Sequence, residues 1–206
     1  MSRRSPFCLA ALPLLLLATA AAPARAHEAT EMAATTGVRA EMLMWINDAQ
    51  DKLIQLAEIT PEAKYAWRPN KDVRSVGEVF MHVATANFGA PSFWGKMPPA
   101  GFNFDTYEKS LTKKADIIKA MKDSFAHMEA GFAAVPDSDL DKPVELFGGL
   151  VKTSVRGGYM LLLSHAHEHL GQSIAYARSN GIAPPWTAKQ QAAIKEMQDK
   201  MKSGGK

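Results

Sequence analysis

From Met42 onward the apolar residues Met42, Ile46, Ala49, Leu53 and Leu56 recur at intervals of three and four, with Asn47, Asp48, Gln50, Asp51 and Lys52 between them. That period puts one apolar stripe on a helix, so the pattern predicts an amphipathic helix ending near Thr60-Pro61. A second helix is expected to open at Ser75, because Ser75-Val76-Gly77-Glu78 has the form of a capping box. The serine oxygen accepts the Glu78 amide hydrogen while the glutamate reaches back to the cap. This helix should run to about Asn87. A third, about 112–134, carries the stripe Ile118, Met121, Phe125, Met128, Phe132 and is closed by Pro136. The fourth, about 154–180, is apolar on almost every side around residues 159–163, as in a helix buried by its neighbours, and Gly181 and Pro184-Pro185 end it.

Between Gly89 and Ser110 the periodicity fails. Pro91, Gly95, Pro98, Pro99 and Gly101 alternate with Phe93, Trp94, Phe102, Phe104 and Tyr107, which reads as a long aromatic connection packed onto the bundle, where it could cover a site. A short amphipathic piece opens at Thr187-Ala188-Lys189-Gln190, and the tail from Ser203 should fray. No repeat is visible, and no alternating stretch demands a sheet. The expected fold is all-α: a four-helix bundle over residues 38–200, with a long Pro-rich connection between helices two and three and a short C-terminal helix. A flexible segment, 27–37, should precede it and a disordered tail, 201–206, should follow.

At 206 residues and 47% hydrophobic composition the chain suits one globular domain with a substantial core. The first residues are set apart from it. Arg3 and Arg4 precede an apolar run from Leu9 to Ala22, and Ala24-Arg25-Ala26 has the small-x-small form of a cleavage site, so residues 1–26 read as a cleaved signal peptide. The run is shorter than the roughly 20 residues of a membrane-spanning helix, and Pro13 interrupts it. Ser2-Arg3-Arg4 resembles the start of a twin-arginine signal, although Pro6 departs from it, which leaves the export route open. A periplasmic or secreted protein with no membrane segment after processing is expected.

Taking Arg3, Arg4 and Arg25 from the 24 basic residues leaves 21 against 21 acidic ones, so the mature chain is neutral. Without a basic excess or cluster to release counterions, nucleic acid is excluded as an expected partner. The lone cysteine, Cys8, falls in the signal, so the processed chain can form no internal disulfide.

The candidate chemistry lies in the histidines. Ser164-His165-Ala166-His167-Glu168-His169 places His165 and His169 four apart, one turn apart on one helix face, where both imidazoles can reach one ion. His167 lies roughly 200° around the helix from His165 and cannot join them. Leu161 and Leu162 precede the pair on its face, and Ser173 and Tyr176 follow. Two buried imidazoles without a ligand would each need a hydrogen-bond partner, whereas one metal satisfies both. His82, mid-helix among Val79, Val83 and Ala86, is the natural third ligand. His127, beside Asp116, Lys119 and Asp123, reads as a solvated surface residue, and His27 as a mobile terminus able to bind copper through a free amine. Glu78 is a weak catalytic candidate, more simply explained as a cap. Glu168 and Asp48 are at most supporting groups around the site, with a solvated position the simpler reading of each.

These residues carry a resemblance. His82 in a Ser-x-x-Glu-opened helix, then His165-x-x-x-His169-Leu170-Gly171-Gln172 and Gly181-Ile182-Ala183-Pro184-Pro185, is similar to the DinB family of four-helix-bundle metalloproteins, over about residues 38–186. The resemblance implies that His82, His165 and His169 bind one divalent transition metal, whether zinc, nickel, manganese or iron. Some relatives are thiol-dependent transferases or isomerases. Leu170 stands where many members carry arginine, and their thiols are cytosolic, so the chain departs from that chemistry. The family name implies no DNA binding, and the implied partner is an unidentified small-molecule substrate.

Three neutral imidazoles leave coordination positions open, and a zinc held so can lower the pKa of its water to roughly 7. The expected function is therefore an exported metal-dependent enzyme, a hydrolase or group transferase. The alternative is a non-catalytic metal- or ligand-binding stress protein whose ion staples the fold, a role that a fourth ligand from Glu78 or Asp48 would favour. Bundles of this kind often pair, so a homodimer is the assembly to expect if the chain associates at all.

Overall fold

The computed structural model describes residues 37–203, and the signal segment, His27 and the last three residues lie outside them. The four long helices are α1 (Val38–Ile59), α2 (Val76–Gly89), α4 (Lys114–Ala134) and α5 (Val155–Ser179). A single turn, α3 (Phe104–Tyr107), lies between α2 and α4, and α6 (Trp186–Ser203) follows α5. Around the bundle α1 packs on α4 and α5, and α2 packs on the same two, so α1 and α2 face each other diagonally across the core. Consecutive helices on a diagonal cannot be joined by a tight turn, and the α1–α2 and α4–α5 connections are accordingly long.

Each of the four long helices forms where its side chains can bury one face. The stripe Met42, Ile46, Ala49, Leu53, Leu56 is buried, and α1 stops where the Thr60 amide and hydroxyl both bond the Leu56 carbonyl (3.0 and 2.7 Å) ahead of Pro61. The α2 capping box is present, with Ser75 Oγ accepting from the Glu78 amide (3.3 Å) and Glu78 Oε2 from the Ser75 amide (2.8 Å). On α4 the buried stripe begins at Ile117, not Ile118, which is only half-buried; two adjacent isoleucines compete for one position, and the sequence pattern picks the wrong one. On α5 the apolar belt is not wholly buried either, since Met160 and Leu161 face outward while Tyr159 and Leu162 fill the core.

A small antiparallel hairpin, unforeseen from the sequence, joins α4 to α5. Its strands β1 (Pro143–Leu146) and β2 (Val151–Ser154) pair Val144 with Thr153 and Leu146 with Val151. The chain reverses through Phe147, Gly148 and Gly149, all at positive φ, a conformation that glycine adopts without steric cost. Leu146 is buried beneath the hairpin. Four-residue strands are too short to show an alternation, which is why the pattern did not declare them. α6 is also longer than the short piece expected, 18 residues with no buried side chain.

At the end of the bundle where α4 closes, Arg39 is buried. Its guanidinium donates to the carbonyls of Phe132 and Val135 (2.6 Å to the latter) and to Asp137 Oδ1 (2.7 Å), tying the start of α1 to the open carbonyls at the end of α4. The aromatic connection does pack onto the bundle: Phe102 and Tyr107 lie on Phe88, and Trp94 donates to Tyr159 Oη (2.7 Å) over Gly158, where a Cβ would collide with the indole. Packing Tyr107 against α2 brings Glu108, the next residue, to the histidines.

Candidate metal centre

His82 stands on α2 and His165 and His169 on α5, two helices in contact. The ring centroids lie 4.5–4.9 Å apart, and one nitrogen from each ring falls within 4.8 Å of the others. His165 Nε2 is 3.0 Å from His82 Nε2. His169 is buried, and the other two rings keep a partly open side.

Two of the imidazoles are held by further side chains. His82 Nδ1–H donates to Glu108 Oε2 (2.7 Å), and Arg74 Nε donates to Glu108 Oε1 (2.6 Å). His169 Nδ1–H donates to Gln172 Oε1 (2.8 Å), whose amide donates to Tyr176 Oη (3.0 Å), which in turn donates to the Arg74 carbonyl (3.2 Å). An acceptor at Nδ1 fixes the ring tautomer and leaves the Nε2 lone pair for an ion. His165 differs, because its Nδ1 is buried with no hydrogen-bond partner among the described residues. Three convergent nitrogen donors, two of them on rings with fixed tautomers, fit a divalent ion that accepts imidazole ligands.

The electrostatics favour neutral rings. Burial pushes the His165 imidazole down to about 3, with further lowering from His169, His82 and Arg74. Burial also lowers His82, against the opposing hydrogen bond to Glu108. For Glu108 itself burial raises the pKa, but hydrogen bonds from Arg74 and His82 outweigh it and keep the carboxyl below its usual range. The group next to His82 is thus a carboxylate, the form that accepts from the imidazole N–H.

The other candidates have separate places. Glu78 gives its carboxylate to the Ser75 amide and to Arg68 (3.1 Å), which together hold its pKa low. Asp48 pairs with Lys52 (2.6 Å) on the α1 surface, and Glu168 is exposed. His167 points away from the trio, donating to the Leu163 carbonyl (3.0 Å) beside Trp45. His127 is not a free surface residue: it packs on Phe88 at 5.4 Å with Nε2 buried, and burial lowers its pKa. Leu161, expected on the face of the pair, is exposed. Sequence reasoning missed Glu108, Arg74 and Gln172. Gln172 lay in plain view, one turn beyond His169, but Glu108 is 26 residues from His82 in a segment without periodicity, where only the fold brings the two together.

Residues 46–173 match the DinB superfamily, a span containing all three histidines and ending just past Gln172. The chain belongs to the DinB superfamily. Solved structures of DinB-like proteins share the fold at low sequence identity. One from Bacillus cereus is 15% identical over 70% of this chain and 93% of its own, with a TM-score of 0.57. A Bacillus subtilis DinB-like protein, YjoA, is 20% identical over 68% and 92%, with a TM-score of 0.54. YfiT from Bacillus subtilis, described as a probable metal-dependent hydrolase with an unusual four-helix bundle topology, is 11% identical over 72% and 92%, with a TM-score of 0.58. A comparison with curated proteins found no match. The DinB fold thus accounts for α1, α2, α4 and α5, and the three histidines form a group that could hold a metal ion.

Proposed function

We propose that His82, His165 and His169 hold one divalent transition metal and that this DinB protein is an exported metal-dependent enzyme, a hydrolase or group transferase acting on a small molecule. The observation that carries the reading is the convergence of three imidazoles from two helices with Glu108 and Gln172 already behind two of them. When bound, the ion supplies Lewis acidity. The protein's own part is to hold the donors in register. Glu108, kept ionised by Arg74, accepts the His82 Nδ1 proton and makes its Nε2 a stronger donor, and Gln172 orients His169. Among the described residues no carboxylate joins the three nitrogens, and neither Glu78 nor Asp48 closes the site, which supports a catalytic over a purely structural ion.

YfiT's description supports hydrolysis, and the signal-like residues 1–26 support export. The test is to strip the purified protein with chelator, restore zinc, nickel, manganese or iron singly, and screen ester, amide and phosphoester substrates. The reading expects turnover that returns with one of these metals in the wild type and not in His165→Ala. Turnover that survives full metal removal would refute it.

A further inference from the structure

A cavity of about 510 Å³ adjoins the histidines, and its wall includes Glu108 and Gln172, the two side chains that orient His82 and His169. Four cations line it, Arg68, Lys71, Arg74 and Lys109, against three carboxylates, Asp72, Glu78 and Glu108. Two of those carboxylates are already engaged. Glu78 is held by the Ser75 amide and Arg68, and Glu108 by Arg74 and His82. Lys71 and Lys109 have no ion pair among the described residues, and the Arg74 fork, which reaches Glu108 through Nε and Nη2, keeps Nη1 unengaged among them. The cavity therefore presents unspent cationic donors around a polar floor, two side chains from the place where the metal would sit.

We infer that this cavity binds the oxyanion group, a carboxylate or a phosphate, of an acidic small-molecule substrate. The unengaged Nη1 of Arg74 offers one charge-assisted donor to an anion oxygen, and two lysines on flexible stems can close on it as point charges. An uncharged substrate would gain only hydrogen bonds from these donors, whereas a cationic one would meet a wall of net positive charge. The inference builds on the proposed metal site for the reaction but not for the binding, since the charges of the cavity do not depend on the ion.

Calorimetric titration of the full chain, as purified, with inorganic phosphate and separately with malonate reads this directly. Saturable binding is expected for at least one of the two, and which one identifies the class of anion. In the double variant Lys71→Glu, Lys109→Glu affinity should fall about tenfold or more, with metal content unchanged. In His165→Ala, which should lose metal, the anion should still bind. Equal affinity in wild type and the lysine variant overturns the inference, as does the absence of saturable binding in the wild type. Binding that vanishes in His165→Ala yet persists in the lysine variant also overturns it, by making the anion a ligand of the metal. Metal content, measured on the same samples, tests the metal site separately.

Discussion

Among single residues, Glu108 and the imidazoles decide how protons are shared around the three nitrogens. Glu108 bridges Arg74 and His82, so Glu108→Ala should leave His82 free to rotate and weaken metal affinity about 10- to 100-fold without abolishing binding. Competition with a chelator of known affinity measures this, and an unchanged constant would show that His82 needs no such support. The buried rings also make a pH prediction for the metal-free chain. His165 takes up a proton at about 3 when folded and near 6.5 when unfolded, so between those values the unfolded chain binds more protons. Stability should therefore fall as the pH drops from about 6.5 toward about 3, and urea midpoints of the metal-free protein should fall less steeply in His165→Asn than in the wild type. Parallel slopes would mean the ring is not held neutral.

Among the helices and their connections, features that depend on near neighbours could be read in advance. The α2 capping box and the α1 stripe need only residues three or four apart, and both stand as expected. The His165–His169 pair was legible for the same reason. Where two residues compete locally, as Ile117 and Ile118 do on α4, periodicity alone could not decide which faces inward. The hairpin before α5 was too short to show a period, and Glu108 and Arg39 act through partners 26 and more than 90 residues away, which no local pattern encodes. Arg39 gives this scale its test. Arg39→Ala would leave the Phe132 and Val135 carbonyls without their buried donor, at a cost of about 2–4 kcal/mol. Denaturant unfolding should show it, whereas Asp137→Ala, which removes only an exposed partner, should change stability by less than about 1 kcal/mol. Similar losses in both variants would place the strength in the ion pair and not in the carbonyls.

For the whole molecule the long connection between α2 and α4, two helices packed side by side, carries a residue into the site. The path from Gly89 to α4 runs over α2, packs Tyr107 on Phe88 and delivers Glu108 to His82. α2 and α5 would be joined by the ion as well as by packing, so metal removal should lower the melting temperature, with the loss growing as free metal is titrated away. On the proposed function these two helices share one metal through His82, His165 and His169. Elemental analysis of the purified protein beside His82→Ala, His165→Ala, His169→Ala and the control His167→Ala tests it most directly. About one transition-metal ion per chain is expected in the wild type and in the control, and loss in the other three. Full occupancy in the His82 variant, or equal loss in the His167 variant, would contradict it.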